Sequence, residues 1–221
     1  GVIYDRKDVP LARNVEDPLS EFSERSYISG SGFGHLLGYV SYPTKDKSGN
    51  YWQRELVGKD GVEKFYNTAL RGISGERLIE KNALGEIQSE NTIKPAVPGA
   101  NLTLTVDSAV QAELYKSLVE QINSGSFEGG AGVMMDIRSG EILSLTSYPE
   151  YNSDILSHGD DDAKIKEYLT DKRKPFLNKV TSGVFTPGSI MKPFFFFSAL
   201  EEGVISPAKQ ILSTGSISLQ N

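Results

Sequence analysis

Four consecutive phenylalanines at residues 194–197 constrain the fold of this chain more than any other feature of its sequence. Four adjacent positions cover every side of an α-helix, so a helix here is apolar all round and has to be buried. We therefore predict a core helix rather than a surface stripe for a partner or a membrane. Gly203 is its expected end, because glycine favours the left-handed backbone that closes many helices.

The segment that leads into this helix carries residues with potential chemistry. Pro187 and Gly188 indicate a turn directly before Ser189, and Lys192 follows three residues later. Residues three apart lie on one face of a helix, about one turn from each other. A serine hydroxyl becomes a nucleophile when a neighbouring base takes its proton, and burial lowers the pKa of a lysine that serves as this base. The free N–H groups at a helix start would stabilise the developing negative charge.

The bare Ser-x-x-Lys spacing is a weak signal, because about one or two matches arise by chance in a chain of this composition. A second match, Ser206 with Lys209, lacks the Pro-Gly lead-in. We interpret it as a helix N-cap with Pro207 at the first helical position. The residues alone leave Ser189 open to two interpretations: a nucleophile with its base, or a helix cap beside a surface lysine.

Composition excludes several classes of function. The net charge of -6 argues against nucleic acid as a partner, because it would not offset phosphate repulsion. The absence of cysteine excludes disulfides and thiolate zinc sites. The two histidines, His35 and His158, are far apart in the sequence and have no metal-binding pattern nearby, so we expect no metal and no cofactor. No apolar run is long enough to span a bilayer, and we expect any anchor or export signal to have been removed or to lie upstream.

The chain divides at residues 95–99, where Pro-Ala-Val-Pro-Gly is typical of a linker. Before this linker, we predict an extended arm with loops over residues 1–30, a strand over 34–40, a helix over 62–70 and two strands over 76–97. After it, we predict a strand over 102–106, a helix capped by Asp107 or Ser108, and a hairpin of residues 131–137 and 141–147 with Gly140 in its turn. The acidic residues 160–162 are expected in a loop or the first turn of a helix.

Many segments resemble class B penicillin-binding proteins. Residues 187–193, Pro-Gly-Ser-Ile-Met-Lys-Pro, are similar to the first active-site motif of penicillin-binding proteins and serine β-lactamases. Four further segments resemble the transpeptidase domain of this family, with Lys179 where arginine is usual: residues 98–111, 130–143, 147–152 and 175–179. Three more resemble the arm and the pedestal, or dimerisation, domain of the elongation-type (penicillin-binding protein 2) members: residues 1–12, 35–40 and 61–72.

The resemblance implies an α+β fold in two domains. Residues 1–97 would form a β-rich pedestal, and residues 98–221 would form the first part of a transpeptidase domain with an antiparallel sheet and helices. Ser189 would be the catalytic nucleophile and Lys192 its base in a D,D-transpeptidase that crosslinks peptidoglycan stem peptides. β-Lactams would trap Ser189, and no cofactor or metal is implied. The family further implies a membrane anchor, a location on the periplasmic face of the bacterial cytoplasmic membrane, and cell-elongation membrane proteins bound to the pedestal.

Two other functions remain open from the sequence. A β-lactam hydrolase or sensor shares the fold, although such proteins usually lack the pedestal-like residues before Pro95. Acyl-enzyme lifetime separates these activities, since a hydrolase releases its product within seconds. A non-catalytic scaffold would bind elongation partners through the pedestal and keep a vestigial catalytic half. In that case Ser189→Ala would leave wall crosslinking intact.

The family also needs a Ser-x-Asn motif and a Lys-Thr/Ser-Gly strand after the nucleophile, and residues 190–221 contain neither. Residues 47–50, Lys-Ser-Gly-Asn, match both patterns, but they precede Ser189 and we interpret them as a hairpin turn. The strand would supply the second oxyanion amide and hold the substrate carboxylate.

We therefore expect the 221-residue chain alone to be acylated poorly. Incubation with a fluorescent penicillin should give slow and incomplete labelling. Rapid stoichiometric labelling would contradict this expectation.

Overall fold

The structure, a computed structural model, describes residues 1–16, 22–49, 51–53, 55–82, 84–125, 127–210, 212 and 215. Their strands are β1 (Ile3–Tyr4), β2 (Pro10–Val15), β3 (Glu24–Tyr27), β4 (Val40–Ser41), β5 (Thr44–Lys45), β6 (Tyr51–Gln53), β7 (Val57–Gly58), β8 (Glu76–Lys81), β9 (Ile87–Lys94), β10 (Leu102–Thr103), β11 (Gly130–Met135) and β12 (Ile142–Tyr148). Their α-helices are α1 (Gly34–Leu37), α2 (Gly61–Phe65), α3 (Asn67–Arg71), α4 (Ser108–Ser124), α5 (Ser153–His158), α6 (Asp162–Thr170) and α7 (Lys192–Glu201), and a 3₁₀ turn (Gly188–Met191) precedes α7.

The chain forms two compact units, Gly1–Gly183 and Val184–Asn221. Helices combine with mainly antiparallel sheets, which confirms the predicted α+β class. The predicted domain boundary at residues 97–98 lies inside the first unit and stays a prediction.

A four-stranded sheet organises the start of the first unit, in the order β10-β1-β2-β3, with β1 parallel to β10 and antiparallel to β2. Apolar side chains of this sheet and of residues in or next to α1 and α3 form a buried cluster: Ile3, Leu11, Ala12, Tyr27, Phe33, Leu37 and Leu70. The prediction of an extended arm with loops over residues 1–30 missed the strands β1, β2 and β3, and its residues 17–21 lie outside the described residues. The charged residues 5–8 form only the turn between β1 and β2, where Asp5 Oδ1 accepts the N–H groups of Lys7 at 2.7 Å and Val9 at 2.9 Å.

The predicted strand over residues 34–40 is also wrong, because most of it is the helix α1. The Leu37 N–H donates to the Phe33 carbonyl at 2.9 Å, and Gly38 ends the helix with φ +77°. Strand β4 starts only at Val40. A short apolar run suits a buried helix as well as a buried strand, so its local pattern does not decide between them.

Other predictions for residues before the linker are confirmed in outline. The helix over 62–70 is present as α2 and α3, interrupted at Tyr66. The two strands over 76–97 are the hairpin β8–β9. Residues 46–49 turn between β5 and β6, with the Gly49 N–H donating to the Asp46 carbonyl at 3.0 Å, whereas Asn50 lies outside the described residues.

Helix α4 and the hairpin β11–β12 confirm the capped helix and the hairpin that were predicted after the linker. Asp107 caps α4 by accepting the N–H groups of Ala109 at 3.1 Å and Val110 at 3.3 Å. Gly140 has φ +77° in the hairpin turn. The apolar side chains along one face of α4 are only partly buried: Ile122 is covered, whereas Val110, Leu114 and Leu118 are half-buried. At residues 160–162, the Asp161 carboxylate caps α6 by accepting the Lys164 N–H at 2.8 Å, in line with the prediction.

A buried ion pair crosses the first unit between β3 and α2. Arg25 Nε donates to Glu63 Oε1 at 2.7 Å, and both side chains are under 5% exposed. Arg25 Nη1 also donates to Asn14 Oδ1 at 2.9 Å and to the Gly1 carbonyl at 2.8 Å. Among the described residues, Arg25 Nη2 has no hydrogen-bond partner. Removing the guanidinium would therefore leave the Glu63 carboxylate buried without its cation.

We predict that Arg25→Met lowers the free energy of unfolding by about 3–5 kcal/mol, because it leaves the Glu63 carboxylate buried without a positive partner. Arg25→Met combined with Glu63→Leu should recover most of this loss. Arg71→Met, which removes the exposed partner of Glu55, should change stability by less than about 1 kcal/mol. Urea unfolding of the wild type, Arg25→Met, the double variant and Arg71→Met measures these differences. Equal losses of unfolding free energy in Arg25→Met and in the double variant would contradict the prediction.

Candidate active site

Proline and glycine shape the turn that precedes Ser189. Pro187 has φ -71° and ψ -22°, and Gly188 has φ +58°, a left-handed value that favours glycine. The 3₁₀ turn then leads into α7, with Pro193 in the first helical turn, where its missing N–H breaks no helical hydrogen bond. The predicted lead-in and helix start are both confirmed.

Ser189 and Lys192 lie one turn apart, as their spacing predicted. The Lys192 N–H donates to the Ser189 carbonyl, and a 3₁₀ turn places side chains three residues apart on the same face. Both residues are exposed, so the described residues bring the serine and the lysine together without burying either side chain.

Helix α7 is also exposed where the sequence predicted burial. The exposed fractions of Phe194, Phe195, Phe196 and Phe197 lie between 50% and 67%, so the prediction of a fully buried helix is wrong for the described residues. An apolar helix is buried only if other elements surround it, and the described elements of the second unit are the 3₁₀ turn and α7. The helix ends as predicted: Gly203 has φ +67°, and the Val204 N–H donates to the Ala199 carbonyl at 2.9 Å.

Glu150, in the first unit, joins the segment after β12 to the glycine-rich loop at residues 30–34. Its carboxylate accepts the N–H of Gly32 through Oε1 and that of Gly34 through Oε2, the latter at 2.9 Å. Gly32 has φ +98°, and a Cβ there would lie 2.7 Å from the Tyr115 Cβ, so only glycine fits. Burial raises the pKa of Glu150 to about 7, and the two N–H donors oppose this rise.

Gln111 holds the same loop from helix α4. Its fully buried side chain donates through Nε2 to the Gly32 and Leu145 carbonyls, the latter at 2.7 Å, and accepts the Leu145 N–H at 2.8 Å. One amide therefore connects α4, β12 and the glycine-rich loop. In the sequence, Gln111 and Glu150 stand out only as members of segments that resemble the family, residues 98–111 and 147–152, and nothing there indicates these contacts. A polar residue in a pattern does not reveal which distant backbone groups it satisfies.

The histidines give no sign of a metal centre. His35 is buried and packs its ring against Tyr151, with 5.1 Å between ring centroids, and burial lowers its pKa. Nδ1 of the other histidine, His158, lies 2.7 Å from the Asp154 carbonyl oxygen. Within the described ranges, no group of three His, Asp or Glu side chains is placed to hold a metal ion.

An apolar groove of about 510 Å³ lies between the glycine-rich loop and α4. Ile28 and Phe33 form one wall, and Ala112, Tyr115 and Val119 form the other. All the residues that line it belong to the first unit.

Comparison with protein families places two adjacent domains on the chain. Residues 19–104 match the family described as "Penicillin-binding Protein dimerisation domain". Residues 130–219, which include Ser189 and Lys192, match the family described as "Penicillin binding protein transpeptidase domain".

Individual relatives agree with these matches. The peptidoglycan D,D-transpeptidase MrdA of Haemophilus influenzae is 30% identical over 209 residues, which is 90% of this chain but only 31% of that protein. The structure is similar to that of penicillin-binding protein 2 of Pseudomonas aeruginosa in complex with WCK 5153, with a TM-score of 0.75, 24% identity, and coverage of 100% of this chain and 44% of the other. It is also similar to penicillin-binding protein 2 of Helicobacter pylori in a complex with MreC, with a TM-score of 0.74, 24% identity, and coverage of 100% and 55%. The chain thus spans about a third of the length of this curated relative.

None of the described helices is both long and apolar enough to span a membrane.

The raised pKa of Glu150 predicts a pH-dependent stability. Since this pKa is about 7 in the folded chain and ordinarily 4.5, folding favours the protonated carboxyl group. This contribution to stability is complete below about pH 4.5 and is lost as the pH rises to about 7. Glu150→Gln should remove the dependence, so that the wild type loses about 1–3 kcal/mol relative to this variant between pH 5 and 7.5. Exposed Glu120→Gln is the control, and parallel pH profiles of wild type and Glu150→Gln in urea unfolding would contradict the prediction.

Proposed function

Because this chain belongs to the class B penicillin-binding proteins of the penicillin-binding protein 2 type, we propose that the full-length protein is a peptidoglycan D,D-transpeptidase with Ser189 as its nucleophile. One observation carries this proposal. Ser189 lies in the 3₁₀ turn and Lys192 begins the apolar helix that follows it, inside the region that matches the transpeptidase domain. The second Ser-x-x-Lys pair, Ser206 with Lys209, lies in a turn where the Lys209 N–H donates to the Ser206 carbonyl at 3.0 Å, and Gln210, the described residue after it, is not helical.

The reaction uses the serine hydroxyl and the lysine amine in sequence. Ser189 Oγ attacks the penultimate D-Ala carbonyl of a stem peptide while Lys192 Nζ takes the hydroxyl proton. The carbonyl oxygen becomes an oxyanion that the Ser189 N–H stabilises. The C–N bond to the terminal D-Ala then breaks, and the departing amine takes the proton from Lys192. An amine of a neighbouring stem peptide then attacks the ester carbonyl and forms a new C–N bond, while Lys192 takes its proton. The C–O bond to Ser189 breaks, and Lys192 passes the proton to Ser189 Oγ, which completes the crosslink.

Lys192 accepts a proton only while it is neutral, so the proposal requires a drier environment than the exposed one described here. The four exposed phenylalanines of α7 support this requirement, because an exposed apolar surface of this size is typical of a site that another element covers. In the full-length protein, we expect the remainder of the transpeptidase domain to cover α7 and to desolvate Lys192.

The proposed domain division assigns residues 1–97 to the pedestal, or dimerisation, domain and residues 98–221 to the first part of the transpeptidase domain. The order of the two family matches, residues 19–104 and residues 130–219, supports this division. The Helicobacter pylori neighbour was determined in a complex with MreC, which supports elongation proteins as partners of this protein. Peptidoglycan stem peptides and β-lactams are the substrates and inhibitors that the relatives' names indicate. The corresponding location is the periplasmic face of the cytoplasmic membrane.

We predict that a fluorescent penicillin labels the full-length protein and that Ser189→Ala abolishes this labelling. Ser206→Ala is the matched control, because it removes the serine of the other Ser-x-x-Lys pair and should leave labelling intact. Lys192→Ala should lower the acylation rate by at least about 100-fold, since general-base catalysis contributes about 10²–10⁴. Labelling of Ser189→Ala at the wild-type rate would contradict the proposal.

The lifetime of the label separates a transpeptidase from a β-lactam hydrolase. Persistence over minutes supports the transpeptidase, whereas loss within seconds supports the hydrolase. The match to the dimerisation domain favours the first outcome, because β-lactam hydrolases usually lack that domain.

A further inference from the structure

A strongly basic loop follows helix α6 in the first unit. Residues 171–179, Asp-Lys-Arg-Lys-Pro-Phe-Leu-Asn-Lys (the basic loop), carry four basic side chains and one acidic side chain, in a chain whose net charge is -6. The acidic residues 160–162 lie at the opposite end of α6, a helix of 9 residues that is about 13 Å long. This length exceeds the screening distance of about 8 Å in physiological salt, so these carboxylates neutralise little of the positive charge.

The one carboxylate of the basic loop is already bound. Asp171 accepts Arg173 Nε at 3.0 Å and Arg173 Nη2 at 2.7 Å, and the guanidinium also lies 5.9 Å from the centre of the Tyr148 ring. Lys172 and Lys174 are exposed, and the salt bridges of the described residues include neither of them. Their two ammonium groups are therefore available to an anion from outside the chain.

Contacts within the first unit hold the basic loop in a fixed shape. Lys179 Nζ donates to the carbonyls of Arg173 at 3.0 Å and Lys174 at 3.5 Å. The buried Ser147 hydroxyl accepts the Lys179 N–H at 3.1 Å and donates to the Leu177 carbonyl at 3.4 Å. A loop held in this way loses little conformational freedom when it binds a ligand, and this lowers the cost of binding.

We propose that the basic loop binds a polymer that carries carboxylates, and that this polymer is peptidoglycan. The choice of polymer rests on the proposed function, which makes carboxylate-bearing stem peptides the substrate, whereas the charge of the loop does not depend on it. Lysine ammonium groups form charge-assisted hydrogen bonds with carboxylates. Because a peptidoglycan strand repeats its carboxylates along its length, several weak contacts combine into a stronger one.

An anionic membrane surface is the competing partner for a basic segment. A helix that lies on a membrane needs a wide apolar face beside its basic residues. Over residues 162–179, the exposed large apolar side chains are only Leu169 at 69% and Phe176 at 37%. Two separate apolar side chains do not form such a face, so the surface favours a polymer in water over a lipid bilayer.

The experiment measures cosedimentation of the full-length protein with purified insoluble peptidoglycan. Lys172→Gln combined with Lys174→Gln should weaken binding about tenfold, because two charge contacts at the protein surface are lost. Lys45→Gln combined with Lys47→Gln is the matched control, since these lysines are also exposed, have the same spacing and give the same change in net charge. The control should bind within about twofold of the wild type.

Two further arms identify the ligand. Peptidoglycan whose carboxylates have been converted to amides should bind the wild type as weakly as native peptidoglycan binds the Lys172 and Lys174 double variant. Vesicles of phosphatidylglycerol should bind the wild type and this variant equally. Thermal unfolding of each variant checks that it folds like the wild type, as expected for exposed positions.

Wild-type binding by the Lys172 and Lys174 double variant would overturn the proposal, and so would unchanged binding to the amidated polymer. Vesicle binding that is lost in the same variant, without a loss on peptidoglycan, would assign the basic loop to a membrane surface instead. Failure of the proposed function is recognised separately, because a fluorescent penicillin would then leave the wild type unlabelled whatever its affinity for peptidoglycan.

Discussion

The buried amide of Gln111 is the interaction on which the first unit depends most. It satisfies two carbonyls and one N–H that belong to the glycine-rich loop and β12, and because the Gln111 side chain is fully buried, each bond that it loses would leave a polar group of its own without a partner. Glu150 binds the same loop through the N–H groups of Gly32 and Gly34. These bonds join residues before the Pro95–Gly99 segment to residues after it, which explains why the two predicted domains share one compact unit.

The same polar contacts show why only part of the fold could be predicted from sequence. Elements whose ends are marked by a capping residue or a turn glycine in the sequence were predicted well. Examples are α4 with its Asp107 cap and the hairpin with Gly140. The failures, at residues 1–30 and 34–40, depend on partners distant in sequence. The N–H of Gly34 at the start of α1 is bound by Glu150, 116 residues further on. No local pattern contains such a contact.

The candidate site likewise has one property that the sequence predicts and one that it does not. The spacing of Ser189 and Lys192 is a local property, and the 3₁₀ turn confirms it. The burial that a neutral lysine needs is a property of surrounding elements, and the described residues leave Lys192 and the phenylalanines of α7 exposed. The chain matches 31% of the length of the Haemophilus influenzae relative. The hydrogen bonds of Gln111 and Glu150, in contrast to the surroundings of Ser189, lie wholly in the first unit.

Peptide mapping by mass spectrometry tests the role of Ser189 most directly. The full-length protein is treated with a β-lactam, digested, and searched for the covalent acyl adduct. We predict one adduct, on the peptide that contains Ser189, with its mass increase localised to that side chain. An adduct on another residue, or consumption of the β-lactam by a protein that stays unmodified at Ser189, would contradict the assignment of this serine as the nucleophile.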